Sequence, residues 1–219
     1  MKVVLFGATG MIGQGVLREC LLDSRITQVV TVLRGPTGRT HPKLREVIHQ
    51  DFLDYAAIEH ELTDLDACFF CLGVSSAGLG EAEYHRITHD VTLAAATTLA
   101  RLNPQMTFAY ISGAGADSTE RGRIMWARVK GQTENALLRV PFKAVYLFRP
   151  GAIRPLHGIT SRTRLYRVLY RVLAPLFPLL KAVSPDSLTT TEQLGKAMIH
   201  AALEGAPKAV LEMRDINRM

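Results

Sequence analysis

The sequence predicts an α/β fold: a doubly wound parallel sheet with a small C-terminal helical appendage. Two patterns predict it. Short apolar runs alternate with longer amphipathic stretches along the whole chain, as strands buried on both faces and their covering helices do. The first apolar run then ends directly in a glycine-rich turn that opens a helix. Composition is compatible with one such domain over 1–219. With 47% hydrophobic and 21% charged residues, 219 residues can bury a core without staples and are too apolar for disorder.

Taken in order, apolar runs predict strands at 2–6, 28–33, 46–49, 67–72, 106–111, 144–148 and 209–212. Amphipathic stretches between them predict helices at 11–22, 55–61, 81–102, 122–138, 161–173 and 191–204. There is no internal repeat and no linker. The connection after Arg149 carries Pro150, Gly151, Pro155 and Gly158, so the sheet should give way there to the appendage, residues 152–190.

The turn after the first strand reads Gly7-Ala8-Thr9-Gly10-Met11-Ile12-Gly13. In a dinucleotide-binding (Rossmann) loop the first glycine makes the tight turn and the second lets the backbone approach a pyrophosphate. The third lets helix pack on strand, and the helix N-terminus offers free N–H groups to the diphosphate. Gly7, Thr9, Gly10, Met11, Ile12 and Gly13 are therefore candidate cofactor contacts. An NAD site normally places an acid about twenty residues further on, for the ribose 2′-hydroxyl. Here the chain reads Leu33-Arg34-Gly35-Pro36-Thr37-Gly38-Arg39, with no acid. Arg34, helped by Arg39 or Thr37, suits a 2′-phosphate, so the expected cofactor is NADP. Asp51, followed by Phe52, is placed either to meet the adenine edge or to cap a turn.

Further motifs follow in order: Cys71-Leu72-Gly73, Ile111-Ser112-Gly113-Ala114-Gly115-Ala116-Asp117, Val129-Lys130-Gly131-Gln132-Thr133-Glu134 and Phe148-Arg149-Pro150-Gly151. Together with the glycine loop they resemble the atypical short-chain dehydrogenase/reductases, specifically the Tat-interacting-protein-like branch and its bacterial, epimerase-like relatives. The resemblance covers about 1–153 and thins between 160 and 186. It implies that Leu72, Gly73, Lys130 and Pro150 also contact the cofactor, and that residues 152–190 lie on the substrate side. It further implies an oxidoreductase or epimerase-like enzyme acting on a small carbonyl or hydroxyl compound.

In that superfamily a Tyr-x-x-x-Lys pair on one helix face handles the proton, and a serine holds the same substrate oxygen. The resemblance assigns Ser112 and Lys130 to the serine and lysine. The tyrosine position holds Trp126, and no tyrosine lies between Tyr110 and Tyr146. An indole N–H donates a hydrogen bond but cannot relay a proton near neutral pH. Three readings stay open. A substitute acid acts (Ser112 through water, Tyr84, His85 or the substrate itself); the protein binds NADP(H) without turnover as a redox-sensing regulator or partner-binding module; or Trp126 is packing and the active site lies elsewhere.

Other signals are read more plainly. Cys68 and Cys71, three apart in a strand, point to opposite faces and are core residues. His85 and His89 share a helix face while Asp90 points elsewhere, so no metal site is expected. Gly113, Gly115 and Asp117 form either a close-approach loop or a plain turn. Between Arg121 and Lys181 stand thirteen Lys or Arg against one acid, Glu134, a balance of +12 in a chain of net +6. An anionic partner or a solvated basic face accounts for it. Within that stretch, 161–183 is basic, amphipathic and proline-broken: a pocket cover or a segment packed on the sheet, a dimer contact, or a peripheral membrane contact. No nucleic-acid-binding motif accompanies the arginines, so no nucleic-acid partner is expected. Monomer and homodimer remain equally open. Three cysteines form no disulfide framework, no apolar run reaches the length of a membrane span, and the N-terminus lacks a signal h-region. The expected location is cytoplasmic.

Overall fold

Val3, Val4, Leu5 and Phe6 have no polar side to turn outward, so β1 (Lys2–Phe6) enters the sheet at its centre, all four residues fully buried. The computed structural model describes residues 1–159 and 188–219. After β1 come β2 (Gln28–Leu33), β3 (Leu44–Ile48), β4 (Ala67–Phe70), β5 (Thr107–Ile111) and β6 (Ala144–Arg149). Three short strands follow: β7 (Ala152–Arg154), β8 (Leu188–Thr190) and β9 (Val210–Glu212). Seven strands form one parallel sheet in the order β3-β2-β1-β4-β5-β6-β9. The chain runs outward from β1 to β3, then crosses to the other side of β1. That reversal opens a crevice at the carboxyl ends of β1 and β4.

Alternation assigns the two faces. Val3, Leu5 and Phe69 pack beneath α1 (Met11–Leu22) and a late helix, Thr191–Glu204. Val4, Phe6, Cys68 and Phe70 pack on the opposite face. Cys71 joins the first cluster, so the two cysteines do lie on opposite sides, and burial pushes both thiols up.

The helices depart from expectation in instructive ways. Residues 55–61 form a 3₁₀ helix, Ala56–Glu61. The stretch 81–102 is not one α-helix: α2 (Glu81–His85) passes through a π turn at Arg86–Asp90 into α3 (Val91–Leu102). Within the turn the Val91 N–H bonds the Arg86 carbonyl, five residues back. This overturns the placement of Asp90 away from the histidines. The wider turn brings its Oδ1 to 2.8 Å from His89 Nδ1 and 3.3 Å from His85 Nδ1. The next helix is shorter than expected, α4 (Met125–Leu137).

Strand β3 begins two residues early because parallel pairing with β2, from Val29–Leu44 to Leu33–Ile48, sets its ends. The late helix α5 (Thr191–Glu204) is capped by Thr190, whose side chain accepts from the Gln193 N–H at 3.0 Å. It packs against α1 at very short range: a Cβ on Gly15 would stand 2.6 Å from Thr191 Cβ, and one on Gly195 2.8 Å from Glu19 Cγ. The β7–β8 pair and α6 (Met213–Arg218), started by a Glu212/Asp215 capping box, had no clear periodic signature. The amphipathic segment 161–183 lies outside the described residues. No helix among the described residues is long and apolar enough to cross a membrane.

Candidate active site

The crevice is a cleft of about 1360 Å³. Its floor begins with the glycine loop. Gly7 has φ +78°, and a Cβ there would meet the Cys71 carbonyl and Leu72 nitrogen at 2.6 Å. The Gly10 N–H closes the turn on the Gly7 carbonyl at 2.9 Å. A Cβ on Gly13 would stand 2.0 Å from that same carbonyl, so α1 can seat only on a glycine. Thr9, Gly10, Met11 and Ile12 line the cleft, whereas Gly13 sits underneath. Gly10 caps α1 without a side chain, and the first turn carries no acid. The helix therefore presents free N–H groups and the positive end of its dipole to the cleft.

At one end of the cleft stand Arg34, Arg39 and Asp51. Arg34 is exposed, and its guanidinium has no hydrogen-bond or ion-pair partner among the described residues. Only its carbonyl is engaged, accepting from Gln50 Nε2 at 2.7 Å. Arg39 Nη2 reaches Gln14 Oε1 at 3.4 Å. Thr37 is not free to assist them: its N–H and hydroxyl both donate to the Glu46 carboxylate, the N–H at 3.2 Å. Asp51 accepts from the Leu53 N–H at 2.9 Å, capping a turn at the cleft wall.

Ser112, Lys130 and Pro150 line the other end, and Leu72 and Gly73 the middle. The Ser112 N–H continues the β5–β6 ladder to the Phe148 carbonyl at 2.8 Å, while its Oγ is buried without a partner. Lys130 Nζ donates to the Tyr110 hydroxyl at 2.9 Å and the Ile111 carbonyl at 3.1 Å, and lies 4.6 Å from the Tyr110 ring centroid. Burial pulls the Lys130 pKa down to about 8, partly opposed by Glu134. Trp126 is one turn ahead of Lys130 but is not part of the cleft wall. Its six-membered ring lies 3.6 Å from where a Gly115 Cβ would be and 3.8 Å from that of Gly113. Tyr84 is buried outside the wall, and His85 also stands outside it. Neither candidate substitute acid lines the cleft with Ser112.

Three further residues shape the site. Tyr110 holds Lys130 from below. Arg86, on the π turn, is an exposed cleft residue. Gly131 lets α4 seat on the loop after β5, because a Cβ there would stand 1.7 Å from the Asp117 carbonyl. Asp117 organises that loop. Its carboxylate accepts from the Thr119 hydroxyl at 2.6 Å and the Gly122 N–H at 2.6 Å, which holds its pKa below the usual range. The motif Val129-Lys130-Gly131 contained the signal for Gly131. Nothing in the sequence marked Tyr110 or Arg86.

Solved structures with this architecture are numerous. An NAD+ complex of the enzyme WbmF from Bordetella bronchiseptica superposes with a TM-score of 0.68 at 17% identity, over 99% of this chain and 76% of that one. A UDP-N-acetylglucosamine 4-epimerase from Methanobrevibacter ruminantium gives 0.68 at 14% identity, covering 95% and 74%. A short-chain dehydrogenase family protein from Francisella tularensis gives 0.62 at 14% identity, covering 93% and 91%. The chain has the Rossmann fold of these dehydrogenase and epimerase enzymes. No family model matches it.

Among curated proteins, the mitochondrial protein fmp52 of Emericella nidulans is 25% identical over 210 residues, 93% of this chain and 88% of that protein. FMP52-1 of Scheffersomyces stipitis is 26% identical over 155 residues, 70% and 67% of the two chains, and is likewise named mitochondrial. These names overturn the cytoplasmic expectation. Free cysteines mark a reducing environment, which is not peculiar to one compartment, so cysteine usage could not carry that inference.

The residues present fit a nicotinamide dinucleotide. The α1 N-terminus is open to an anion, the Gly7–Gly13 packing keeps the loop low, Arg34 is unpaired, and a buried serine hydroxyl at the far end lacks a partner.

Proposed function

We propose that the protein is an NADP-binding oxidoreductase of the atypical short-chain dehydrogenase type, of the Tat-interacting-protein-like branch, acting on a small carbonyl or hydroxyl compound. The observation that carries this reading is the pairing, in one cleft, of an uncapped glycine-loop helix with Ser112 and Lys130. The loop and α1 hold the diphosphate, Arg34 and Arg39 the 2′-phosphate, and Leu72, Gly73 and Pro150 flank the path to Ser112. Bound NADP(H) supplies or accepts hydride. Ser112 Oγ donates to the substrate oxygen, and Lys130 fixes the ribose and adds positive charge beside it. A proton reaches the substrate oxygen through water or the substrate itself, since Trp126 cannot release one. The relatives' names support a mitochondrial setting.

Trp126 also favours a second reading, an NADP(H)-binding redox-responsive regulator without turnover. One experiment separates the two. Trp126 is the only tryptophan and stands one turn ahead of the cleft residue Lys130, near enough for energy transfer to a nicotinamide bound there when NADPH or NADH is titrated. Quenching and energy transfer stronger with NADPH than with NADH are expected. Carbonyl reduction by the wild type then supports the enzyme. Silence in the wild type, with activity appearing in Trp126→Tyr, supports the regulator. Binding of neither nucleotide, with calorimetry in agreement, removes both.

A further inference from the structure

We propose that His85, His89 and Asp90 form a site for a divalent transition ion of the zinc class, separate from the dinucleotide cleft. In an α-helix, residue 90 would fall about 140° round from residue 85. The π turn at Arg86–Asp90 removes that separation. Asp90 Oδ1 stands 3.3 Å from His85 Nδ1 and 2.8 Å from His89 Nδ1, and one ligand atom from each residue lies within 4.8 Å of the others. Donors about 2.0 Å from a tetrahedral zinc stand about 3.3 Å apart, so a small opening of the His89–Asp90 pair admits the ion. The imidazoles are stacked with centroids 4.4 Å apart. All three side chains are part-exposed, leaving a fourth position for water.

Charge around the cluster agrees. No lysine or arginine pairs with Asp90 among the described residues. Arg128, from α4, is engaged by both oxygens of Glu81, at 2.8 and 2.7 Å. Arg86, on the same turn, belongs to the cleft wall. Glu19, His157 and Glu192 make a comparable group, but there Arg18 Nη1 already sits 2.5 Å from Glu19 and Lys196 Nζ 2.5 Å from Glu192. Those cations fill the place an ion would take. Two neutral imidazoles and one carboxylate with an open position select zinc, cobalt or nickel over calcium or magnesium.

The test is titration of the tag-free full chain with zinc by calorimetry and with cobalt by visible absorption. About one zinc per chain is expected, with cobalt showing a tetrahedral spectrum. His85→Ala and His89→Ala should each weaken binding by at least about tenfold, as loss of a metal-site group commonly does. His157→Ala should leave it unchanged. Thermal melts control for folding, and His85→Gln provides a milder variant at a part-exposed position. The proposal is overturned if the wild type binds no zinc, if the His85→Ala/His89→Ala variant keeps wild-type affinity, or if binding is lost with His157→Ala instead.

Discussion

Lys130 is held where it is least comfortable as a cation. An unfolded lysine titrates at 10.5, whereas this one is pulled to about 8 by burial. Below pH 8 both states keep the proton, and the folded chain carries a poorly solvated ammonium. Between about pH 8 and 10.5 the folded chain releases it first, so stability rises with pH across that window. Denaturation of wild type and Lys130→Met should therefore show the wild type gaining on the variant from pH 8 to 10.5, by up to about 3 kcal/mol at 1.4 kcal/mol per unit. A flat difference would mean that the lysine is solvated. Arg34 gives the second prediction at this scale. Because its guanidinium is unpaired, Arg34→Ala should leave stability within about 0.5 kcal/mol. The same change should lower the NADPH-to-NADH affinity ratio by about tenfold or more, the loss of one charge-assisted contact.

Elements meet in this fold at glycines, but not all glycines do the same work. Gly13→Ala drives a Cβ into the Gly7 carbonyl and Gly131→Ala drives one into the Asp117 carbonyl, both backbone atoms that cannot step aside. Each substitution should cost about 3 kcal/mol or more in chemical denaturation, and Gly13→Ala should also abolish nucleotide binding. Gly73 is different: a Cβ there meets nothing within 4 Å, although the residue lines the cleft. Gly73→Ala should melt like the wild type yet bind NADPH more weakly, because its crowding comes from the ligand. Equal losses of stability at all three positions would sink this distinction.

Across the whole molecule, Glu134 ties layers together. It is the lone acid in the basic stretch, and in the structure it is almost fully buried on α4 against Arg149 of β6. Arg149 Nε donates to Glu134 Oε1 at 3.0 Å, a second bond joins Nη2 to Oε2, and the same guanidinium reaches Glu212 and Ser118. Helix α4, strand β6 and the edge strand β9 thus share one cation. Glu134→Leu should lose about 3 kcal/mol by leaving that cation short of its partner, and Glu134→Leu/Arg149→Met should recover much of it. Urea melts with unchanged slope would measure both.

The parallel sheet, its first βα turn and the lack of any tyrosine between Tyr110 and Tyr146 could be read from the chain alone. Apolar periodicity, glycine spacing and residue identity are local properties, and Gly7–Gly13, Ser112 and Lys130 carried them in plain view. Tertiary structure decided what depends on residues far apart in sequence or on a changed helical period. Strand β5 puts Tyr110 under Lys130; Glu46 takes Thr37 away from the arginines; the ring of Trp126 turns onto Gly113 and Gly115 rather than into the cleft. The π turn swings Asp90 to the histidines, because a count of 3.6 residues per turn holds only while the hydrogen bonds keep that period.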